Sequence, residues 1–286
     1  MLQDLDFGML DNHYREQSPT PQDTVVCIRG NEILICRNEK DELSLPTWSQ
    51  VQEWSNHWEN WGIGCTQYIF CLQDVNYFLW MGEVGTCPDS AFAYEPASTL
   101  RQLTSKNICF AAMTAWHLFT WYRSSLYCGR CGTRTSHDHK ERMMRCPQCG
   151  NMIFPRIAPA VIIAVTDGDR IIMSKYAGRS YTRYALLAGF IEIGETAEEA
   201  VAREVMEEVG LKVKNIRYYK SQPWGIAGDL LLGYYCDLDG DDTIHIDEQE
   251  LSMAQWFSRD NFPAQDDGIS LTREMMRVFS EGKEPR

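Results

Sequence analysis

Two pairs of cysteines set the tightest limit on how this chain can fold. They are Cys128-Gly-Arg-Cys131 and Cys146-Pro-Gln-Cys149, separated by fourteen residues. A C-x-x-C turn aims two thiolates at one point, and two such turns complete a tetrahedron around zinc. Gly129, Gly132 and Gly150 follow three of the four positions, as tight knuckle turns require. A redox dithiol uses one such pair, not two matched ones. Four thiolates close the coordination sphere, so the expected zinc is structural and not catalytic.

His137 and His139 lie between the pairs and are expected to be solvated loop residues, because the thiolates suffice. Arg130, Arg134, Lys140, Arg142 and Arg145 make the segment basic, either as an RNA contact or as ordinary solvated surface. The other seven cysteines, Cys27, Cys36, Cys65, Cys71, Cys87, Cys109 and Cys236, lack metal spacing. They are expected to be reduced thiols, mostly buried.

A chain of 286 residues is long enough for two domains with ordinary cores. Its 44% hydrophobic and 23% charged content is normal for a globular protein. No stretch approaches the ~20 apolar residues of a membrane helix. The acidic N-terminus lacks the apolar core of a signal peptide. A cytoplasmic protein without a membrane partner is therefore expected. The net charge of −13 opposes broad, sequence-blind binding to a nucleic-acid backbone. A small anionic substrate stays open if bound metal inverts the local charge.

Residues 24–36 read as a hairpin around Gly30-Asn31, and Tyr68–Leu72 with Tyr77–Trp80 as a second. The Trp-rich stretch 47–62 suits packing or a partner surface more than a ligand site. Asn107 to Tyr122 fits an amphipathic helix with Ile108, Ala112, Ala115, Leu118 and Phe119 on one stripe. Beyond the cysteines come a buried strand over Ala158 to Val165, a turn at Asp167-Gly168-Asp169 and another strand. A helix, further strands and a closing helix near Ser270–Ser280 follow, a mixture that predicts an α/β or α+β catalytic domain.

The segment from Gly189 to Leu211 carries the chemistry. Thr196 followed by Glu199 is a capping box, and Gly210 is a suitable stop, so a helix lies between them. Ala200, Val201 and Val205 form its apolar stripe. Glu204, Glu207 and Glu208 stand at i, i+3 and i+4, so they can converge on one face. Clustered carboxylates repel one another unless a cation sits among them, and hard oxygen ligands suit Mg²⁺ or Mn²⁺. The competing reading is a solvated acidic helix face.

The frame formed by Gly189, Glu195, Arg203, Glu204, Val205, Glu207, Glu208, Gly210 and Leu211 fills the Nudix box, G-x5-E-x7-R-E-U-x-E-E-x-G-U, at every specified position. The chain therefore resembles the Nudix hydrolases. The resemblance implies an α/β fold, a Nudix α/β/α sandwich preceded by a four-cysteine zinc ribbon and an N-terminal α+β domain. It also implies hydrolysis of a nucleoside diphosphate linked to another group. By resemblance, Glu204 and Glu208 bind metal with the Ala188 carbonyl, Glu207 is a ligand or the general base, and Arg203 orients the glutamates.

Ser221-Gln222-Pro223-Trp224 resembles the opening of the motif that marks the NADH pyrophosphatase subfamily, which also carries a zinc ribbon before its Nudix domain. The implied organisation is an N-terminal domain over 1–125, the ribbon over 126–154 and the Nudix domain over 155–286. The implied reaction is metal-dependent hydrolysis of NAD(H) to nicotinamide mononucleotide and AMP, extending to the NAD cap of an RNA. By the same resemblance Glu250 completes the catalytic metal site, and Phe154 and Phe190 sandwich a base or nicotinamide ring. Gln222, Pro223, Trp224, Glu141, Thr272 and Arg101 match substrate contacts, and a homodimer is implied.

The motif continues P-F-P-x-S in the subfamily but Gly225-Ile-Ala-Gly228-Asp229 here. Glycines in place of prolines predict a more mobile loop. Asp229 would repel a phosphate yet accept from ribose hydroxyls. That difference keeps a broader ADP-ribose or dinucleotide pyrophosphatase in play. A non-catalytic NAD sensor or nucleic-acid-binding adaptor is the third reading, and the full glutamate set argues against it.

Overall fold

The structure, a computed structural model, describes residues 1–4, 10–38, 42–55, 66–82, 91–102, 106–178, 182–261 and 268–285, without the side chains of 101 and 102. Contacts divide the chain into two units. One comprises Met1, 157–224 and 229–286, and the other 2–156 and 225–228.

In the N-terminal unit, β1 (Leu10–Asp11) is followed by β2 (Thr24–Arg29) and β3 (Glu32–Arg37), which turn at Gly30 with φ of 59°. Then come β4 (Leu43–Ser44), α1 (Trp48–Trp54), β5 (Thr66–Leu72), β6 (Val75–Trp80) and β7 (Phe92–Pro96). The strands pair in the order β1-β5-β6-β2-β3-β4, with β7 also on β3. The second hairpin turns through Gln73 and Asp74 at φ of 52° and 61°, the left-handed pair that a two-residue hairpin needs. Trp54 and Trp80 are buried with Val25, Val51 and Phe78, so these tryptophans serve packing. Residues 56–62 of the Trp-rich stretch lie outside the described residues, as do Cys65 and Cys87. Cys27, Cys109 and Cys236 are buried, while Cys36 and Cys71 are half-buried.

α2 (Lys106–Ser124) is more enclosed than its predicted stripe. Ala112, Ala115 and Phe119 are buried, but so are Cys109, Phe110, Ala111, Met113, Trp121 and Tyr122. Ile108 and Leu118, assigned to the stripe, are only half-buried. The helix packs on β2, β6 and the 3-10 turn Ala97–Gln102, so its apolar surface extends around the axis. The ribbon adds β8 (Ser136–His137), β9 (Met144–Arg145) and β10 (Met152–Ile153), paired in the order β10-β9-β8.

The second unit contains β11 (Ala158–Asp167), β12 (Arg170–Tyr176), β13 (Leu187–Phe190), α3 (Ala197–Val209), β14 (Val213–Trp224), β15 (Asp229–Leu238), β16 (Leu251–Ser258) and α4 (Leu271–Ser280). Its sheet runs β14-β15-β11-β12-β16, with β13 also on β11. β11 and β15 are parallel, and the remaining pairs are antiparallel.

Side chains alternate across a strand, and β11 uses both faces. Val161, Ile163 and Val165 pack with Ala200, Val201, Val205 and Val209 of α3. Ile162 and Ala164 pack with Leu271, Met275, Met276 and Phe279 of α4. One sheet with a helix on each face is the expected α/β/α sandwich. Among the described residues no helix is long and apolar enough to cross a membrane.

Candidate active site

The rotation of α3 is fixed by its ends and its apolar stripe. Thr196 Oγ1 accepts from the Glu199 amide at 3.2 Å, and the Glu199 carboxylate accepts from the Thr196 amide at 2.8 Å. Gly210 ends the helix in the left-handed region, φ 70°, where its N–H donates to the Met206 carbonyl. With Ala200, Val201, Val205 and Val209 turned into the core, Arg203, Glu204, Glu207 and Glu208 fall along the edge of the sandwich. Glu204 and Glu208 are buried, whereas the Glu207 side chain is 59% exposed.

Arg203 organises these carboxylates. Its Nε and Nη2 donate to the two oxygens of Glu195 at 2.7 and 2.9 Å, a bidentate pair. Its Nη1 donates to Glu204 at 2.7 Å and to Glu207 at 2.9 Å, and Nη2 also donates to the Phe190 carbonyl. Glu195 further accepts from the Glu192 amide at 3.0 Å. The Arg203 guanidinium holds the Glu195 carboxyl down at about 2. Glu195 belongs to the sequence frame without an assigned role, and this clamp supplies one.

Gly189 explains its own place in the frame. A Cβ built on it would lie 1.8 Å from the Glu204 carboxyl carbon, so only glycine lets that carboxylate come beneath β13. Burial pushes the Glu204 carboxyl up, against the pull of Arg203, and the charges of Glu207 and Glu250 push the same way. Glu250 reaches this neighbourhood from a turn that starts where α3 ends. The Asp247 amide donates to the Glu208 carbonyl, and Glu250 and Leu251 donate back to the Asp247 carbonyl. Glu204, Glu207, Glu208 and Glu250 all offer hard oxygen donors, and a buried Glu204 carboxyl with further carboxylates nearby is a group that a divalent cation stabilises, so the donor chemistry fits Mg²⁺ or Mn²⁺.

The cysteines are arranged differently. Among the described residues, the quartet Cys128, Cys131, Cys146 and Cys149 is the one group whose donor atoms close to within 4.8 Å of one another. Cys131 and Cys146 sulfurs lie 3.4 Å apart, and those of Cys128 and Cys149 3.6 Å. Zn–S bonds of about 2.3 Å around a tetrahedron give S···S edges of roughly 3.8 Å, so the quartet fits zinc. Neither histidine belongs to it. His139 is exposed and pairs with Glu16. His137 departs from the expected solvated state: it is half-buried beside Tyr122, and its Nε2 is buried without a partner among the described residues.

The substrate positions divide sharply. Phe190 and Phe154 are 57% and 51% exposed, so both rings are free to stack. Glu141 and Pro223 are exposed and Thr272 half-buried. The Ala188 backbone sits in β13 opposite Ile162. The Arg101 side chain lies outside the described residues.

Gln222 is fully buried, its Nε2 donates to the Ile269 carbonyl, and its Oε1 accepts from the Leu271 amide. Both ends of the amide hold the start of α4, next to Thr272. Trp224 and Asp229 are also buried, paired in register across the β14–β15 hairpin.

The tip of that hairpin is packed where looseness was expected. A Cβ on Gly225 would lie 2.2 Å from the Met113 carbonyl oxygen, and Gly228, at φ 83°, lies against the His117 ring. Close approach to α2 is what requires glycine here. No composition signal distinguishes that demand from flexibility.

Comparison with known proteins matches residues 156–279 to the NUDIX domain and 123–154 to the NADH pyrophosphatase zinc ribbon domain. A protein of Shigella dysenteriae described as NAD-capped RNA hydrolase NudC is 43% identical over 146 residues, 51% of this chain and 56% of its own length. One of Pseudomonas aeruginosa with the same description is 38% identical over 159 residues, 56% of this chain and 57% of its own. The match thus spans little more than half the length of either relative. A solved NUDIX hydrolase from Nitrosomonas europaea aligns with a TM-score of 0.46 and 20% identity over 54% of this chain and 90% of that one.

Proposed function

We propose that this protein, a Nudix domain joined to an NADH pyrophosphatase zinc ribbon, hydrolyses the pyrophosphate bond of NAD(H) to nicotinamide mononucleotide and AMP, and removes the NAD cap of RNA by the same chemistry. The carrying observation is the Arg203 clamp. It ties Glu195, Glu204 and Glu207 together while Gly189 seats Glu204 beneath β13.

Glu204, Glu207, Glu208, Glu250 and the Ala188 carbonyl would hold Mg²⁺ or Mn²⁺, which supplies charge neutralisation for the phosphate oxygens. If Glu207 is not among the metal ligands, its exposed carboxylate takes the proton of the attacking water as general base. As the water oxygen bonds to phosphorus, the bond to the bridging oxygen breaks and two monophosphates separate. Arg203 keeps its carboxylates oriented through that change, and the exposed Phe190 ring offers a stacking surface for a base or nicotinamide. Relatives described as NAD-capped RNA hydrolases support the substrate assignment. The same reading takes the protein as a cytoplasmic homodimer, which light scattering tests.

The Gly225–Gly228 tip favours one second reading, an ADP-ribose or dinucleotide pyrophosphatase of broader range, because this stretch departs from the subfamily motif. Organised carboxylates speak against a non-catalytic NAD sensor or nucleic-acid adaptor. The deciding experiment compares kcat/KM for NADH, NAD⁺, ADP-ribose, diadenosine polyphosphates and NAD-capped RNA, with Mg²⁺ and Mn²⁺ supplied separately. Comparable values for all substrates would refute NAD(H) selectivity.

A further inference from the structure

A cleft of about 640 Å³ lies wholly within the N-terminal unit, lined by Tyr14, Arg15, Glu16, Tyr68, Arg134 and His137 with neighbouring groups. We propose that this cleft binds a phosphorylated nucleoside, with the base against Tyr14 and the phosphate on Arg134.

Three observations carry the assignment. The volume falls within the range of small-ligand pockets, about 300–1,000 Å³. Tyr68 is 2% exposed and its phenol has no partner among the described residues, and the same absence holds for the buried Nε2 of His137. Polar atoms buried without partners are unfavourable and uncommon, and a ligand bringing donors and acceptors satisfies them. Burial holds His137 at about 4, so at neutral pH it offers an uncharged ring nitrogen.

Charge and aromaticity then select the ligand. Arg15 is paired with Asp11 and His139 with Glu16, whereas Arg134 is exposed and makes no ion pair among the described residues. Among the described residues that line the cleft it is the arginine without an ion pair, and so the one available to a phosphate. The Arg142 guanidinium stands 5.6 Å from the Tyr14 ring centroid, and an aromatic ring of this kind is a surface on which an unstacked base settles. The choice of a nucleotide over another phosphorylated ligand rests on the hydrolase reading above, since that reaction consumes and releases nucleotides.

The test uses the full chain. Fluorescence anisotropy follows a labelled, uncapped single-stranded oligoribonucleotide with a 5′-phosphate, and AMP is added as competitor. NADH turnover is measured on the same samples. Arg134→Glu and Tyr14→Ala should each weaken oligonucleotide binding by about fivefold or more, as loss of a phosphate contact or a stacking surface does. NADH turnover should remain near that of the unsubstituted chain. Displacement by AMP means that the cleft accepts a free mononucleotide, and its absence means that it takes the nucleotide within RNA; either supports the site. Unchanged binding in both variants overturns it, as does turnover that falls in step with binding. If Arg134→Glu lowers the Tm, Arg134→Gln serves in its place. A wild-type chain without NADH turnover would sink the hydrolase reading instead, whatever the binding shows.

Discussion

The four cysteines of the ribbon and the four glutamates on and beside α3 face one physical problem, that of bringing anionic ligands near one another, though among the described residues only the cysteine donors close to within 4.8 Å. The cysteines meet it locally. Two knuckle turns bring sulfurs to 3.4 and 3.6 Å, and the Cys128 and Cys146 carbonyls each accept from a glycine amide four residues on. The glutamates meet it with tertiary structure: a helix cap, a strand glycine, a turn beyond the helix and an arginine taking three carboxylates at once. A closed thiolate set suits a metal that stays. Oxygen donors with one exposed carboxylate among them suit a metal that meets substrate.

Breaking the ribbon should have the largest effect. Cys146→Ser leaves three thiolates, so zinc content should fall and the unit containing residues 2–156 should lose several kcal/mol of stability. Native mass spectrometry and thermal melts check it, and a native protein free of zinc would refute the ribbon assignment. On the glutamate side, Glu207→Gln should lower kcat roughly 10²-fold or more, as removal of a general base does, with little change in Tm. Near-normal turnover at saturating Mg²⁺ would remove Glu207 from that role.

Gly189→Ala tests the packing that the glutamates need and the cysteines do not. Its methyl group must displace the Glu204 carboxylate, so kcat should drop by about tenfold while zinc content is untouched. Equal kcat would mean that Glu204 has room to move.

A smaller effect is expected in pH dependence. Glu204 is pushed up by burial, so it takes a proton at higher pH than an ordinary glutamate, and kcat/KM should fall on the acid side before the Glu195–Arg203 pair is touched. The folded state binds that proton more tightly than the unfolded one, so charged Glu204 opposes folding above its folded pKa, and this opposition disappears as pH falls. Glu195 has the opposite sign. Its contribution is present above the ordinary glutamate range and is lost as pH falls toward about 2. Raising Mg²⁺ should move the acid limb lower, because cation and proton compete. An acid limb insensitive to Mg²⁺ would assign it to another group.

What was legible in the sequence follows the same division. The quartet, the Thr196–Glu199 box and the Gly210 stop are short-range patterns, and the structure builds them where the spacing places them. The stripe of Ala200, Val201 and Val205 reported which side of α3 faces the core. Long-range demands were silent. Nothing near Gln222 in the chain announces that its amide bonds to Ile269 and Leu271, nearly fifty residues away. Gly225 looks like a loosened loop until Met113 is seen against it. The wide buried face of α2 depends on elements that no helical period reveals.

The parallel register of β11 with β15 carries a consequence for how the molecule is made. Ala158 pairs with Asp229, about seventy residues later, and α3 lies in the chain between. Pairings so distant in sequence are slow to form, because the closure entropy comes before the contacts. During synthesis α3 therefore emerges before the sheet that seats it is complete. Its capping box and apolar stripe must hold it near its final shape until β15 arrives. A substitution such as Thr196→Ala should thus lower the yield of folded protein from the ribosome more than it lowers the activity of the molecules that succeed in folding.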